Sequence, residues 1–345
     1  MSLREKIAGE IESRGPMPFD RFMSLALYDP EGFFGGLRLR SEKAGDFLTS
    51  PEVSALFGET LARFVSAERE RIGEPFQVVE VAAGSGTLLG PLLRVAPTPA
   101  VAVEVSPGAR AALGASLPAI DVVDRLPRSM RGVVIANELI DNMPMALAQK
   151  TGDGWRERWV GWEGERFAFI DAPPREEVTR WLDEYAGEVP DGGWVEAQLE
   201  AARWLEDVLS TLKAGSVLIL DYGDTAANLV PRRADGTLRT YRAHHLGPHP
   251  LDEPGETDIT ADVNFTALEA VARRAGADVT VNRQDDFLNG LGLRQRLSEI
   301  RQEELEAARA GDTNQGLRAR SLRIEAETLL HPRGLGDFRV LVCRV

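Results

Sequence analysis

A chain of 345 residues with 43% hydrophobic side chains is long enough for one large α/β domain with additions, or for two domains. Its formal charge of −14 and pI near 4.9 make a polyanionic surface that argues against nucleic acid as a partner and favours a protein or peptide carrying cationic side chains. A single cysteine, Cys343, excludes a disulfide framework and a cysteine metal cluster.

Residues 3 to 14 and 19 to 27 read as short helices, separated by the extended break that Pro16 and Pro18 impose. The start has no signal-peptide core and no later apolar run reaches the roughly eighteen residues of a membrane span, so a soluble, cytoplasmic protein without a membrane partner is expected. A polar loop follows and leads into GDFLTSPEVSALFGETLARFV, where Thr49 or Ser50 suits a helix cap and Pro51 its first turn. Val53, Leu56, Phe57, Leu61 and Phe64 then fall on one side of that helix and read as core.

Residues 78 to 94, VVEVAAGSGTLLGPLLR, are a buried-strand pattern that breaks at a glycine loop and resumes with leucines at helical spacing. Gly84 and Gly86 allow backbone and ligand to approach closely, and Glu80 stands near the strand's end. A short strand at 101 to 103 ends in Glu104, placed to accept hydrogen bonds from both hydroxyls of a ribose. The loop alone fits a nicotinamide dinucleotide as well as S-adenosylmethionine. An acid at the first strand's end suits the α-amino group and sulfonium of S-adenosylmethionine better.

Two further buried strands are expected at 131 to 136 and 216 to 220, the second ending at Asp221. Between them lie an alternating, tryptophan-rich stretch that reads as a β-hairpin and a helical stretch from about 176 to 213. A strand at 277 to 281, charged helices at 291 to 310 and 315 to 330, and a last strand at 338 to 345 complete the pattern. A final strand returning after Gly334 and Gly336 suits antiparallel insertion near a sheet edge, an arrangement of Rossmann-like methyltransferases. The expected organisation is an N-terminal helical cap over residues 1–75 and a Rossmann-like core over 76–345, with an insertion at about 151–213.

Asn137, Glu138 and Asp141 follow an apolar strand and arrive together at the edge where α/β sheets keep their ligands. Carboxylates there can orient a planar guanidinium by paired hydrogen bonds, whereas Asn137 or Asp141 can equally serve as a helix cap. His244, His245 and His249 lie in a proline-flanked loop without a carboxylate pattern and read as polar loop, so no metal is expected. Arg239, Tyr241 and Arg242 read as surface ion-pairing residues, and Tyr28 and Phe33 as packing.

The segments LYDPEGFFGG, GDFLTSPEVSALFGE, VEVAAGSGTL, ANELIDNMP, LDYGD, GTLRTYRAH and PGETDITADVNF resemble, in this order and over nearly the whole chain, the MidA-type class I methyltransferases. That family includes a mitochondrial complex I assembly factor. The resemblance implies S-adenosylmethionine as cofactor and, from the mitochondrial member, arginine ω-N-methylation of a protein. It implies that Glu80, Gly84, Gly86 and Glu104 contact the cofactor, that Gly45, Asp46, Thr49, Ser50 and Pro51 close the site, and that Asn137, Glu138 and Asp141 stand beside the reacting centre. Two departures exist: Ala82-Ala83-Gly84 replaces the family's glycine-proline-glycine, and Asn264 stands where an aspartate is common. The rival readings are an NAD(P)-linked oxidoreductase and a noncatalytic, cofactor-binding assembly factor. The methyl acceptor and the choice between monomer and homodimer stay open.

Overall fold

The computed structural model describes residues 1–36, 49–242 and 245–345. Seven strands form the central sheet in the order 278–283, 339–344, 212–221, 130–137, 77–81, 100–103, 121–123. The chain enters at the strand Gln77–Val81 and builds outward through Ala100–Val103 to Asp121–Val123, all parallel. It then returns to the other flank of Gln77–Val81 with Met130–Asn137, also parallel. This reversal of direction opens a crevice at the carboxyl ends of the strands, where the two connecting segments diverge. The expected antiparallel ending is present: Arg339–Arg344 pairs antiparallel with both Leu212–Asp221 and Asp278–Arg283, second from the edge.

The sheet is buried on both faces because its side chains alternate between two cores. Val78, Ala100, Val133, Leu218 and Val340 pack toward Phe57, Leu61, Leu297 and Ala326. Their neighbours Val79, Val101, Val134, Val217 and Leu341 pack toward Leu205, Val208, Phe265 and Leu268. Helix Ala55–Ile72 thus lies directly on the sheet. It is separate from the short helix Ser50–Val53, since the Ser54 hydroxyl accepts from the Leu56 amide and starts the longer helix afresh.

The tryptophan-rich stretch is a hairpin, Gly154–Glu163 with Arg166–Ala172, as its alternation indicates. It belongs to a second sheet of five strands that also recruits Ala146–Thr151, Trp194–Ala197 and the distant Met17–Pro18. Helices Leu3–Arg14 and Phe19–Tyr28 cover this sheet, with Phe19, Phe22 and Met23 packed among Leu147, Val160 and Phe167. The N-terminal helices are therefore anchored on the second sheet, beside the strand ends of the first. Among the described residues no helix is long and apolar enough to cross a membrane.

Candidate cofactor and acceptor site

A cavity of about 870 Å³ fills the crevice. Glu80, Gly84 and Glu104 line it from the first two strands, Asn137 and Glu138 from the strand across the switch point, and Thr49 and Pro51 from the entry to helix Ser50–Val53. These seven sequence-predicted residues are brought together from three distant parts of the chain. Gly45 and Asp46 lie outside the described residues.

Three predicted residues sit elsewhere. Gly86 does not line the cavity: its φ is +84° and a Cβ would come within 2.8 Å of the Leu117 side chain, so close helix packing explains the glycine. Ser50 is fully buried, and it acts through its backbone, donating its N–H to Glu138 Oε1 at 3.1 Å. Asp141 faces a second cavity of about 460 Å³ that borders the first, sharing Glu138 and Asn142 in its lining. The expectation that Asn137, Glu138 and Asp141 converge on one rim is corrected. The 3-10 turn Ile140–Asn142 carries Asp141 away from the rim of the first cavity, which Asn137 and Glu138 line.

The acids at the first two strand ends are arranged against their own charge. Burial, reinforced by the neighbouring Glu104 charge, pushes the Glu80 carboxyl well above the usual range, while the Leu89 amide pulls the other way. Glu80 Oε2 is buried with no hydrogen-bond partner. Glu104 ties the loop together: Oε2 accepts from the Gly84 amide at 3.0 Å and Oε1 from the Ser106 amide at 2.8 Å. Burial raises its pKa despite those two amides. A carboxylate has about four acceptor sites, so Glu104 retains acceptor capacity after these bonds and that of the Val105 amide.

Across the crevice, Glu138 holds a left-handed backbone, φ +49°, uncommon for a residue with a side chain. Its amide donates to the Leu220 carbonyl at 2.8 Å, and Oε1 accepts from Ser50 N–H and from Asn137 Nδ2 at 3.2 Å. Burial, then the charge of Asp141, pushes its carboxyl up to about 8. Asn137 Oδ1 is a second buried acceptor without a partner. Asp141 Oδ2 accepts from the Tyr222 hydroxyl at 2.5 Å and the Thr260 hydroxyl at 2.7 Å, and Oδ1 is buried and unpaired. Asp221 is structural: its carboxylate accepts from the Ile140, Asp141 and Tyr222 amides and fixes the turn.

Other sequence readings resolve locally. Asn264 caps helix Phe265–Arg274 by accepting from the Ala267 amide, and it donates to the Tyr185 carbonyl. Arg239 and Arg242 form ion pairs, with Asp262 and Glu253. His249 packs edge-on against Phe169, and His244 lies outside the described residues. Among the described residues no cluster of three His, Cys, Asp or Glu is arranged to hold a metal ion. Tyr28 lines the first cavity and donates to the Asn142 carbonyl at 3.1 Å, a role beyond packing. Sequence reading missed Asp124 and Leu126, which line the cavity just past a strand of only three residues, too short to show a period.

A switch-point crevice with unpaired acceptors and two acids at successive strand ends defines a protein that binds a nucleoside cofactor carrying positive charge. The model of the family described as "Putative S-adenosyl-L-methionine-dependent methyltransferase" matches residues 57–282, most of the chain, and the chain belongs to that family. It is similar to "Protein arginine methyltransferase NDUFAF7, mitochondrial" of Homo sapiens, 28% identical with 95% of this chain and 80% of that protein covered. The Mus musculus protein of the same name is 30% identical, with 84% and 73% covered. A Burkholderia thailandensis crystal structure bound to S-adenosyl-homocysteine has a TM-score of 0.86 at 30% identity, covering 99% of this chain and 92% of that one. The cofactor is S-adenosylmethionine, and the ambiguity of the glycine loop is settled against a nicotinamide dinucleotide.

Proposed function

We propose that the chain is a protein arginine N-methyltransferase, with the cofactor along Glu80, Gly84 and Glu104 and the acceptor meeting it at Asn137 and Glu138. The observation that carries this reading is Glu138: a carboxylate in left-handed backbone beside the cofactor crevice, whose hydrogen-bond donors are the neutral Ser50 amide and Asn137 side chain. The protein arginine methyltransferases to which the chain is similar support the acceptor class.

The residues fit the cofactor. Glu104 has spare acceptor sites for the ribose hydroxyls, and the unpaired Glu80 Oε2 and Asn137 Oδ1 suit donors such as an ammonium group. Thr49 and Pro51 complete the wall from the N-terminal side. When bound, S-adenosylmethionine supplies a methyl group activated by a positive sulfur. Glu138 orients the acceptor guanidinium by charge-assisted hydrogen bonds and takes the proton that the nitrogen loses as its new bond to carbon forms. Positioning supplies most of the acceleration, so few reactive groups are needed.

The test is transfer of labelled methyl from S-adenosylmethionine to a peptide with one arginine, compared with the same peptide carrying lysine or citrulline there. Label in the arginine peptide alone is expected. Transfer to the lysine peptide would refute the acceptor class.

A further inference from the structure

We propose that the second cavity, lined by Glu138, Asp141, Tyr222, Tyr241 and Asp258, is the port through which the acceptor guanidinium reaches the cofactor crevice. This rests on the arginine reading of the acceptor and goes beyond it by assigning a separate site.

The two cavities share Glu138 and Asn142, so a group entering the second reaches the wall of the first. Most basic side chains of the second cavity are already committed. Arg232 and Arg239 both pair with Asp262, and Arg239 also lies over the Tyr222 ring, 5.5 Å from its centroid. Arg333 adds one further cation to the lining. Of the acids, Asp262 is taken by those two arginines, and Asp337 is taken by Arg283 and Arg339. Glu138 and Asp141 differ: their partners are amides and hydroxyls, and Asp141 Oδ1 is buried with none. A buried carboxylate oxygen without a donor is costly, and an incoming guanidinium supplies several N–H groups in a planar fork. With the Tyr222 ring already covered by Arg239, Tyr241 and Phe338 add flat aromatic surface of the kind on which guanidinium planes stack.

The competing route is the arm of the first cavity toward Asp20, Arg21, Arg175, Arg203 and Trp204. It presents three guanidinium groups, as many as the second cavity, and they too are paired, Arg21 with Glu10, Arg175 with Glu157 and Arg203 with Glu177. Its acids are engaged as well, Asp20 by Arg175 and Glu200 by Arg203. Among the described residues that arm has no buried carboxylate oxygen without a donor, whereas the second cavity offers Asp141 Oδ1.

The probe is 5′-thioadenosine bearing an alkylguanidinium tail on sulfur, titrated calorimetrically beside the analogue with a plain alkyl tail of equal length. The guanidinium should tighten binding about tenfold or more, the size of one good charge-assisted contact. Tyr241→Ala and Asp141→Asn should each erase most of that gain while S-adenosylhomocysteine affinity holds, which also shows that the variants are folded. Trp204→Ala should leave the gain in place. A gain that survives both second-cavity variants and disappears in Trp204→Ala overturns the port and leaves the arginine reading intact. No gain in the unaltered protein overturns both.

Discussion

Replacing Glu104 with alanine separates a cofactor contact from a structural tie. Its two oxygens accept from the Gly84 amide at 3.0 Å and the Ser106 amide at 2.8 Å, and the residue lines the cavity with acceptor capacity to spare. A hydrogen bond to a charged group contributes about 1.5 to 3 kcal/mol. Two ribose bonds at the lower end of that range, apt because burial raises this carboxyl, come to about 3 kcal/mol, or roughly 150-fold in affinity. The variant also strands the buried Ser106 amide, costing about 1 to 3 kcal/mol of stability. Weaker binding alone therefore does not prove a ribose contact. A double cycle does: S-adenosylhomocysteine and its 2′,3′-dideoxy analogue are titrated against the unaltered protein and Glu104→Ala. The unaltered protein should lose about 150-fold on removal of the hydroxyls, and the variant almost nothing further. Equal discrimination by both proteins would refute the ribose assignment and leave Glu104 as a clasp between two loops.

Asp141→Asn keeps size and one acceptor for Tyr222 and Thr260 but removes the charge, so single-turnover transfer should fall about ten- to a thousandfold while S-adenosylhomocysteine affinity holds; near-normal transfer would remove Asp141 from the acceptor site. Ala82 has φ +56°, so Ala82→Gly relieves roughly 1 to 2 kcal/mol of left-handed strain against roughly 0.5 to 1 of added chain entropy. Denaturant unfolding should show a net gain of about 0.5 to 1 kcal/mol, and a loss would contradict the strain. Glu138 rises from about 4.5 to about 8 on folding, so the native state binds the extra proton between those values. Stability of the free protein should therefore decline as pH rises through that window, whereas a flat profile there would show that burial does not protonate it. A cationic ligand reverses the shift, so S-adenosylmethionine binding at pH 7 should release protons, seen as a buffer-dependent calorimetric heat, and uncharged-sulfur S-adenosylhomocysteine should release fewer.

The part of the candidate site at the first two strand ends was legible because its pattern is local. Glu80, the glycine loop and Glu104 each stand at the end of a short apolar run, and strand ends of a parallel sheet converge whatever the distant chain does. The part proposed to meet the acceptor was not. Whether Asp141 joins Asn137 and Glu138 depends on the turn at 140–142, and that turn is fixed by the Asp221 carboxylate, some eighty residues on. Gly86 illustrates a different limit: a motif glycine can answer to Leu117, a packing partner no local pattern names. The second sheet was seen only as its hairpin: Ala146–Thr151 joins that hairpin through a two-residue turn without its alternation being read, and Trp194–Ala197 and Met17–Pro18 are short and pair across longer stretches of chain. Met17–Pro18 on Gly154–Glu163 is the extreme case. The ion pair of Arg233 and Glu196, at 2.9 Å with both side chains almost wholly buried, likewise leaves no trace in composition or period.

The central claim is that this crevice methylates arginine in a protein. The direct measurement is transfer of labelled methyl from S-adenosylmethionine by the purified chain into proteins of cells that lack it, with the label identified after acid hydrolysis. Recovery as ω-N-methylarginine, suppressed in Glu138→Gln, is predicted. Label in another amino acid, or none while S-adenosylhomocysteine still binds, would contradict it.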